Sequence, residues 1–143
     1  MKNIIVFLDT NVIIDYLQGR EPFCHAADKI VELCVNRQIL VCISAQSIAD
    51  IFYILRKDYT IFQRKNLLLG ICDMFNIVGA NKQMVIDSLK NDEFSDLEDC
   101  IQSQCAKIAH AEYIITRNIK DFAFSEVTPI LPEDFLGILN IEL

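Results

Sequence analysis

The sequence predicts an α/β fold: one three-layer domain with an open, mostly parallel sheet of four to five strands and helices on both faces. Short apolar runs rich in β-branched residues alternate along the chain with segments of helical periodicity. The runs are continuous rather than alternating, as in strands that are buried on both faces. The alternation of these strands with helices along the chain favours a parallel sheet whose strands are joined by right-handed crossovers.

Chain length and composition favour a single folded unit over residues 1–143. The 143 residues are 52% hydrophobic and include only 4 Gly and 3 Pro, which argues against a disordered linker. The longest apolar run near the start, residues 4–8, is far too short to span a membrane, and no signal-peptide pattern follows it. We therefore expect a cytoplasmic protein without a membrane segment.

The charge and the cysteines exclude some classes of function. A net charge of −7 argues against a module that coats nucleic acid through phosphate contacts alone, although a metal-dependent nuclease remains compatible with it. The six cysteines lie in apolar segments, as reduced buried thiols do. There is no C-x-x-C pair and neither histidine has zinc-finger spacing, so the sequence does not predict a structural zinc site.

The first third of the chain predicts two strands and three helices. Residues 3–8 form a strand that ends at Asp9, and a helix follows until Gly19, with Asn11 as its expected cap. Pro22 is expected to open a second helix. Residues 40–43 form the second strand, after which Ser44 caps a helix that runs to about Lys57.

Capping patterns place the remaining helices. Thr60 with Gln63 and Ser95 with Glu98 have the spacing of capping boxes, and Asn81 can cap the helix between them. Three further strands are expected at 75–78, 113–115 and 127–131. The last contains Pro129, which favours an edge position, and Pro132 opens a final helix.

Four aspartates follow the predicted strands in a way that indicates a metal site. Asp9 directly follows the first strand, Asp50 lies in the helix after the second, Asp99 lies in the helix before the fourth, and Asp121 follows the fourth. Ligands bind at the carboxyl ends of strands in open α/β sheets. Because gathered carboxylates repel each other, we expect a bound cation, Mg²⁺ or Mn²⁺, which prefers such hard oxygen ligands and can activate water.

Polar residues beside these acids are candidates for binding substrate or orienting the acids, with ordinary turn, cap or solvated-loop roles as alternatives. They are Thr10, Asn11, Asp96, Thr116, Arg117 and Asn118. Asp96 can also complement a helix dipole, and the capping box explains Glu98. Asp15 is expected on a polar helix face without a functional role.

Five segments of the chain resemble one known family. The runs FLDTNVIIDYL (7–17), SIADIFYIL (47–55), FSDLEDCIQSQCA (94–106), YIITRNIKDF (113–122) and VTPILPEDFL (127–136) resemble the PIN domain, especially its compact bacterial members related to VapC-type toxins. The resemblance spans nearly the whole chain. It implies metal-dependent cleavage of single-stranded RNA, frequent homodimerisation and, for a toxin, an antitoxin partner.

The resemblance assigns roles to individual residues. Asp9 matches the first acid of the family, with Asn11 as its polar partner; Asp99 matches the acid of the third motif, and Asp96 occupies a position that is often acidic. Asp121 follows the Thr116-Arg117-Asn118 signature. Two positions depart from the family: Asp50 stands where Glu is usual, and Asn118 stands where many members have Asp.

Two other functions remain as alternatives. The departures at Asp50 and Asn118 are compatible with a catalytically weak or inactive PIN-like scaffold that binds other proteins. The helices at 45–57 and 60–74 carry many apolar groups, which indicates a dimer surface, an antitoxin groove or simply the core of a small domain. A phosphatase with Asp9 as nucleophile is disfavoured because Asn11 replaces the second Asp of that class.

Overall fold

A parallel sheet forms the centre of the computed structural model, which describes residues 3–143. Its strands are β1 (Ile4–Leu8), β2 (Ile39–Ser44), β3 (Asn76–Val78), β4 (Tyr113–Ile115) and β5 (Thr128–Ile130). The spatial order is β3-β2-β1-β4-β5, and every neighbouring pair is parallel. This confirms the predicted α/β class and places β5, with Pro129, at an edge.

Helices cover both faces of the sheet, as predicted. They are α1 (Thr10–Gln18), α2 (Cys24–Val35), α3 (Ala45–Ile54), α4 (Ile61–Met74), α5 (Lys82–Lys90), α6 (Leu97–Ile108) and α7 (Pro132–Ile138), with 3₁₀ turns at Leu55–Lys57 and Ile119–Phe122. Among residues 3–143 no helix is long and apolar enough to cross a membrane.

The central strand β1 divides the core into two clusters. Val6 and Leu8 pack with α1, α2, α3, α4 and α7, whereas Phe7 packs with α5 and α6 on the opposite face. Successive side chains of a strand point to opposite faces, so a strand between two helical layers must be apolar at every position. This explains why the run at 4–8 lacks alternation.

Several predicted helix starts shift by one or two residues. Asp9, not Asn11, caps α1, since its carboxylate accepts a hydrogen bond from the Thr10 N–H. Asp96, not Ser95, caps α6 by accepting from the Asp99 N–H. Helix α2 begins at Cys24 instead of Pro22, with Phe23 at its N-cap position. The cap of α3 at Ser44, the capping box at Thr60 and Gln63, and the cap at Asn81 are confirmed.

The cysteines are all free, as expected. Cys24, Cys42, Cys100 and Cys105 are buried and Cys34 is half-buried, but Cys72 on α4 is exposed.

A buried ion pair joins α1 to the loop after β4. Asp15 is only 1% exposed, which contradicts its expected place on a polar helix face. The Arg117 guanidinium donates to both of its carboxylate oxygens, at 2.7 and 3.2 Å, and also lies 3.9 Å from the centre of the Phe23 ring. Arg117 therefore neutralises Asp15. The sequence had instead made its guanidinium a candidate for binding substrate phosphates.

We predict that Arg117→Ala lowers the free energy of unfolding by about 3–5 kcal/mol, because it leaves the buried Asp15 carboxylate without its main partner. Arg20→Ala is the matched control. Arg20 lies 4.0 Å from the same carboxylate and its side chain is 40% exposed, so its loss should cost no more than about 1 kcal/mol. Urea unfolding measures both values, and equal losses would contradict the assignment.

Candidate metal centre

An acidic cavity of about 460 Å³ opens at the carboxyl edge of the sheet. It is lined by Asp9, Thr10, Asn11, Asp50, Tyr53, Ile54, Asp96, Glu98, Asp99, Gln102, Asn118 and Asp121. The fold thus brings together all four predicted aspartates, although they are spread over more than a hundred positions of the chain. Asp96 and Glu98 bring the number of lining carboxylates to six.

Asp9 is the most buried of the carboxylates that line this cavity. It directly follows β1, whose neighbours β2 and β4 lead to opposite edges of the sheet, so it occupies the topological switch point. Its side chain accepts hydrogen bonds from the Thr10 N–H and the Thr116 hydroxyl, both at 2.8 Å, and a longer one of 3.5 Å from the Gln102 amide. Burial raises the pKa of Asp9, and these hydrogen bonds oppose that rise.

Thr116 and Thr10 have positioning roles. The Thr116 side chain is completely buried, donates to Asp9 and accepts from the Asn118 N–H at 2.9 Å. It therefore ties the loop after β4 to the end of β1. The Thr10 hydroxyl shares a hydrogen bond of 2.7 Å with Ser47, which links α1 to α3 behind the cavity.

Helix α6 contributes three acids from its first turn. Asp96 caps the helix, and Glu98 and Asp99 follow on the side that lines the cavity. Partial burial, together with the nearby carboxylates of Asp96, Asp121 and Asp9, raises the pKa of Asp99 to about 7. Asp99 and its acidic neighbours thus form a cluster of like charges, and no basic side chain of the described chain lines the cavity beside them.

Glu98 is the functional candidate that the sequence prediction missed. Partial burial raises the pKa of Glu98 to about 7, and a hydrogen bond with Asp50 and the charges of Asp50, Asp96 and Asp99 contribute to this rise. The expected capping box with Ser95 assigned Glu98 a local role, but Asp96 is the actual cap and leaves Glu98 free to face Asp50. Glu98 therefore lies beside Asp50, the position at which the sequence departs from the usual glutamate.

The loop after β4 supplies the remaining polar groups. Asp121 lies in the 3₁₀ turn Ile119–Phe122 and is exposed at the cavity. Asn118 lines the cavity, as does Asn11 at the start of α1, whereas Arg117 points away from it to Asp15.

The donors around the cavity fit a hard divalent cation. Six carboxylates line the cavity, and within residues 3–143 no basic side chain lines it. The Gln102 side-chain carbonyl is buried there without a hydrogen-bond partner. It can therefore accept a hydrogen bond from a water molecule, whether free or bound to a metal. No three of these acids converge within 4.8 Å in the described chain. This spread suits Mg²⁺ or Mn²⁺, which takes only one or two direct carboxylates and keeps several waters.

Comparison with known proteins agrees with this geometry. A family model described as PIN domain matches residues 5–120. The chain belongs to the PIN-domain family. The match covers nearly all of β1 and runs through β4 into the following loop. It includes three of the four predicted aspartates, Asp9, Asp50 and Asp99, whereas Asp121 lies one residue beyond it. No curated protein matches the sequence.

Solved structures share the PIN fold over almost the whole chain. VapBC-1 from nontypeable Haemophilus influenzae has a TM-score of 0.66 and 20% identity, covering 91% of this chain and 99% of that one. VapC20 from Mycobacterium tuberculosis, titled a sarcin-ricin loop cleaving toxin, has a TM-score of 0.66 and 9% identity, covering 86% and 96%. VapBC2 from Rickettsia felis, bound to a promoter DNA fragment, has a TM-score of 0.64 and 15% identity, covering 90% and 98%.

We predict that Asp99→Asn stabilises the metal-free protein at alkaline pH. The pKa of Asp99 is about 7 in the folded protein, against an ordinary value of 3.8. Its contribution to the free energy of unfolding is therefore fully present below about pH 4 and is lost as the pH rises through 7. Asparagine does not ionise, so the variant does not lose stability in this way. In EDTA the variant should therefore melt above wild type at pH 8, and the difference should shrink towards pH 4.5.

Thermal midpoints of both proteins across this pH range test the prediction. Asp73→Asn, at an exposed position of α4 outside the cavity, is the matched control and should follow wild type. A variant that melts below wild type at pH 8 in EDTA would show that the Asp99 charge is not repelled by its neighbours.

Proposed function

We propose that this PIN domain is a divalent-metal-dependent endoribonuclease that hydrolyses phosphodiester bonds of single-stranded RNA, and that it is the toxin of a toxin–antitoxin pair. The observation that carries the proposal is the set of six carboxylates around one cavity, with Asp9 held by three hydrogen bonds at the switch point. The fold shared with VapC20, a sarcin-ricin loop cleaving toxin, supports it.

The residues divide between holding the ion and moving a proton. Asp9 and Asp99 would hold Mg²⁺ or Mn²⁺, with Asp50 and Asp121 contributing directly or through water. The bound ion supplies Lewis-acid stabilisation of charge on the phosphoryl oxygens and lowers the pKa of water. Glu98, whose pKa of about 7 lies near neutral pH, is placed beside Asp50 to accept a proton from the attacking water.

The substrate would be a polyanion in an acidic cavity, so its binding depends on the cation. With a net charge of −7 and no basic side chain lining the cavity in the described chain, RNA phosphates would be repelled from the metal-free site. Thr10, Asn11 and Asn118 lie at the cavity and can donate hydrogen bonds without adding charge. We therefore expect RNA binding, as well as cleavage, to require the metal.

We predict that the purified protein cuts members of a labelled single-stranded RNA panel in Mn²⁺ or Mg²⁺ but not in EDTA. Asp9→Asn and Asp99→Asn should each lower the cleavage rate by about 10²–10³-fold, because each removes several kcal/mol of stabilisation through the ion. Asp73→Asn, an exposed acid on α4, should cut at the wild-type rate.

Other outcomes of this assay would decide against the nuclease. If no RNA is cut in any metal and Mn²⁺ leaves the thermal midpoint unchanged, the alternative of an inactive scaffold gains support. Cleavage that persists equally in EDTA and in both variants would indicate a contaminating ribonuclease.

An apolar cavity of about 560 Å³ between α3 and α4 favours a protein partner as a second element of the function. Ala45, Ile48, Ala49, Phe52, Lys65, Leu68, Leu69 and Cys72 line it. On the same two helices, Tyr53, Ile61 and Phe62 are 62%, 58% and 74% exposed, whereas Phe52 is half-buried under Arg64. We propose that this face joins two copies in a homodimer, with an antitoxin as the further partner.

We predict that Phe62→Glu shifts the protein from dimer to monomer in light scattering at a fixed concentration, because it places a charge on the apolar face. Phe124→Glu is the matched control: Phe124 is 58% exposed but lies in the loop after β4, so its replacement should leave the mass unchanged. If the wild-type protein is a monomer, the proposed dimer is wrong, and an antitoxin becomes the candidate partner for this face.

A further inference from the structure

A second group of potential metal ligands lies outside the acidic cavity, at the start of α2. Glu21, Cys24 and His25 are the one His, Cys, Asp and Glu group within residues 3–143 whose ligand atoms all lie within 4.8 Å of each other. They combine a carboxylate oxygen, a thiol sulfur and an imidazole nitrogen. The sequence offered no zinc-finger spacing, so this set arises only from the local fold.

The backbone explains why these side chains converge. The Cys24 N–H donates to the Arg20 carbonyl at 2.7 Å, which closes a turn over residues 20–24 directly before α2. This turn brings the Glu21 side chain back to the first residues of the helix. His25 Nε2 lies 2.7 Å from a Glu21 carboxylate oxygen, with both side chains largely exposed, while Cys24 is buried beneath them.

The chemistry of this set differs from that of the acidic cavity. Thiolate and imidazole ligands favour Zn²⁺ and similar transition metals, whereas Mg²⁺ and Mn²⁺ prefer oxygen ligands alone. Three protein ligands at an exposed position leave a fourth tetrahedral position for water. The exposed Glu21 and His25 side chains can rotate apart to admit an ion without moving the backbone.

The surroundings attract a cation. Asp28 lies one turn further along α2, and Glu32, Glu133 and Glu142 line the adjoining cavity of about 670 Å³, with Lys29 as a basic group there. Burial and the carboxylates of Glu21 and Asp28 raise the pKa of the Cys24 thiol. A bound ion would replace the thiol proton and offset these negative charges.

We propose that Glu21, Cys24 and His25 bind a transition-metal ion, Zn²⁺ foremost, at a site separate from the acidic cavity. The intervening Phe23 packs against the Arg117 guanidinium that pairs with Asp15. The ion would therefore hold the α1–α2 turn against the loop after β4. This proposal does not depend on ribonuclease activity, since the ligands lie outside the cavity of Asp9.

Titration of the metal-stripped full chain with Co²⁺, which reports on zinc-type sites by visible absorption, tests the proposal. We expect one equivalent to produce a thiolate-to-cobalt charge-transfer band, and Zn²⁺ but not excess Mg²⁺ to abolish it. Cys24→Ser should remove the band, and His25→Ala should weaken Co²⁺ binding at least tenfold. The band should persist in Asp9→Asn, which alters the acidic cavity.

Matched controls separate this site from other thiols and imidazoles. Cys72→Ser and His110→Ala alter an exposed cysteine and an exposed histidine elsewhere and should keep the wild-type titration. Unfolding midpoints in EDTA show whether Cys24→Ser and His25→Ala remain folded. Glu21→Gln replaces the third proposed ligand at an exposed position, and it should weaken Co²⁺ binding without unfolding the protein. Absence of the charge-transfer band, its survival in Cys24→Ser, or its loss in Cys72→Ser or Asp9→Asn would overturn the proposal.

Discussion

The buried carboxylate of Asp9 is the constraint on which the rest of the structure depends. A carboxylate at the end of a strand that is covered on both faces is costly unless it receives hydrogen bonds. Here the donors come from α1, from the loop after β4 and from α6, through Thr10, Thr116 and Gln102. One side chain thus joins three segments that are far apart in sequence, and the cavity forms where they meet.

Charge is distributed so that this cavity stays negative. Arg117 lies in the loop that helps to form the cavity, yet its guanidinium is directed to Asp15 on the other side of Thr116. This pairing ties the loop to α1 and directs the Arg117 charge away from the carboxylates of the cavity. Partial burial, together with the repulsion among the neighbouring carboxylates, raises the pKa values of Glu98 and Asp99 to about 7. Gathering these like charges costs stability in the absence of a cation.

Much of the fold followed from local patterns, and the errors occurred where two residues competed for one role. Strand β4 was predicted with its observed bounds, and the caps at Ser44, Thr60 and Asn81 were correct. By contrast, Asp9 and Asp96 displaced the expected caps Asn11 and Ser95, because their carboxylates accept the backbone N–H hydrogen bonds at the two helix starts. At Asp96 that shift released Glu98 for the cavity, which no spacing rule for capping boxes predicts.

The sequence by itself determined the order of strands and helices and the placing of Asp9, Asp50, Asp99 and Asp121 near the carboxyl edge of the sheet. Apolar periodicity and caps are local properties, and parallel topology then brings strand ends to one edge. Only the tertiary structure decided how individual side chains pair: Glu98 with Asp50, Arg117 with Asp15, and Glu21 with His25. Such pairs depend on side-chain direction, burial and long-range charge, which adjacent residues do not reveal.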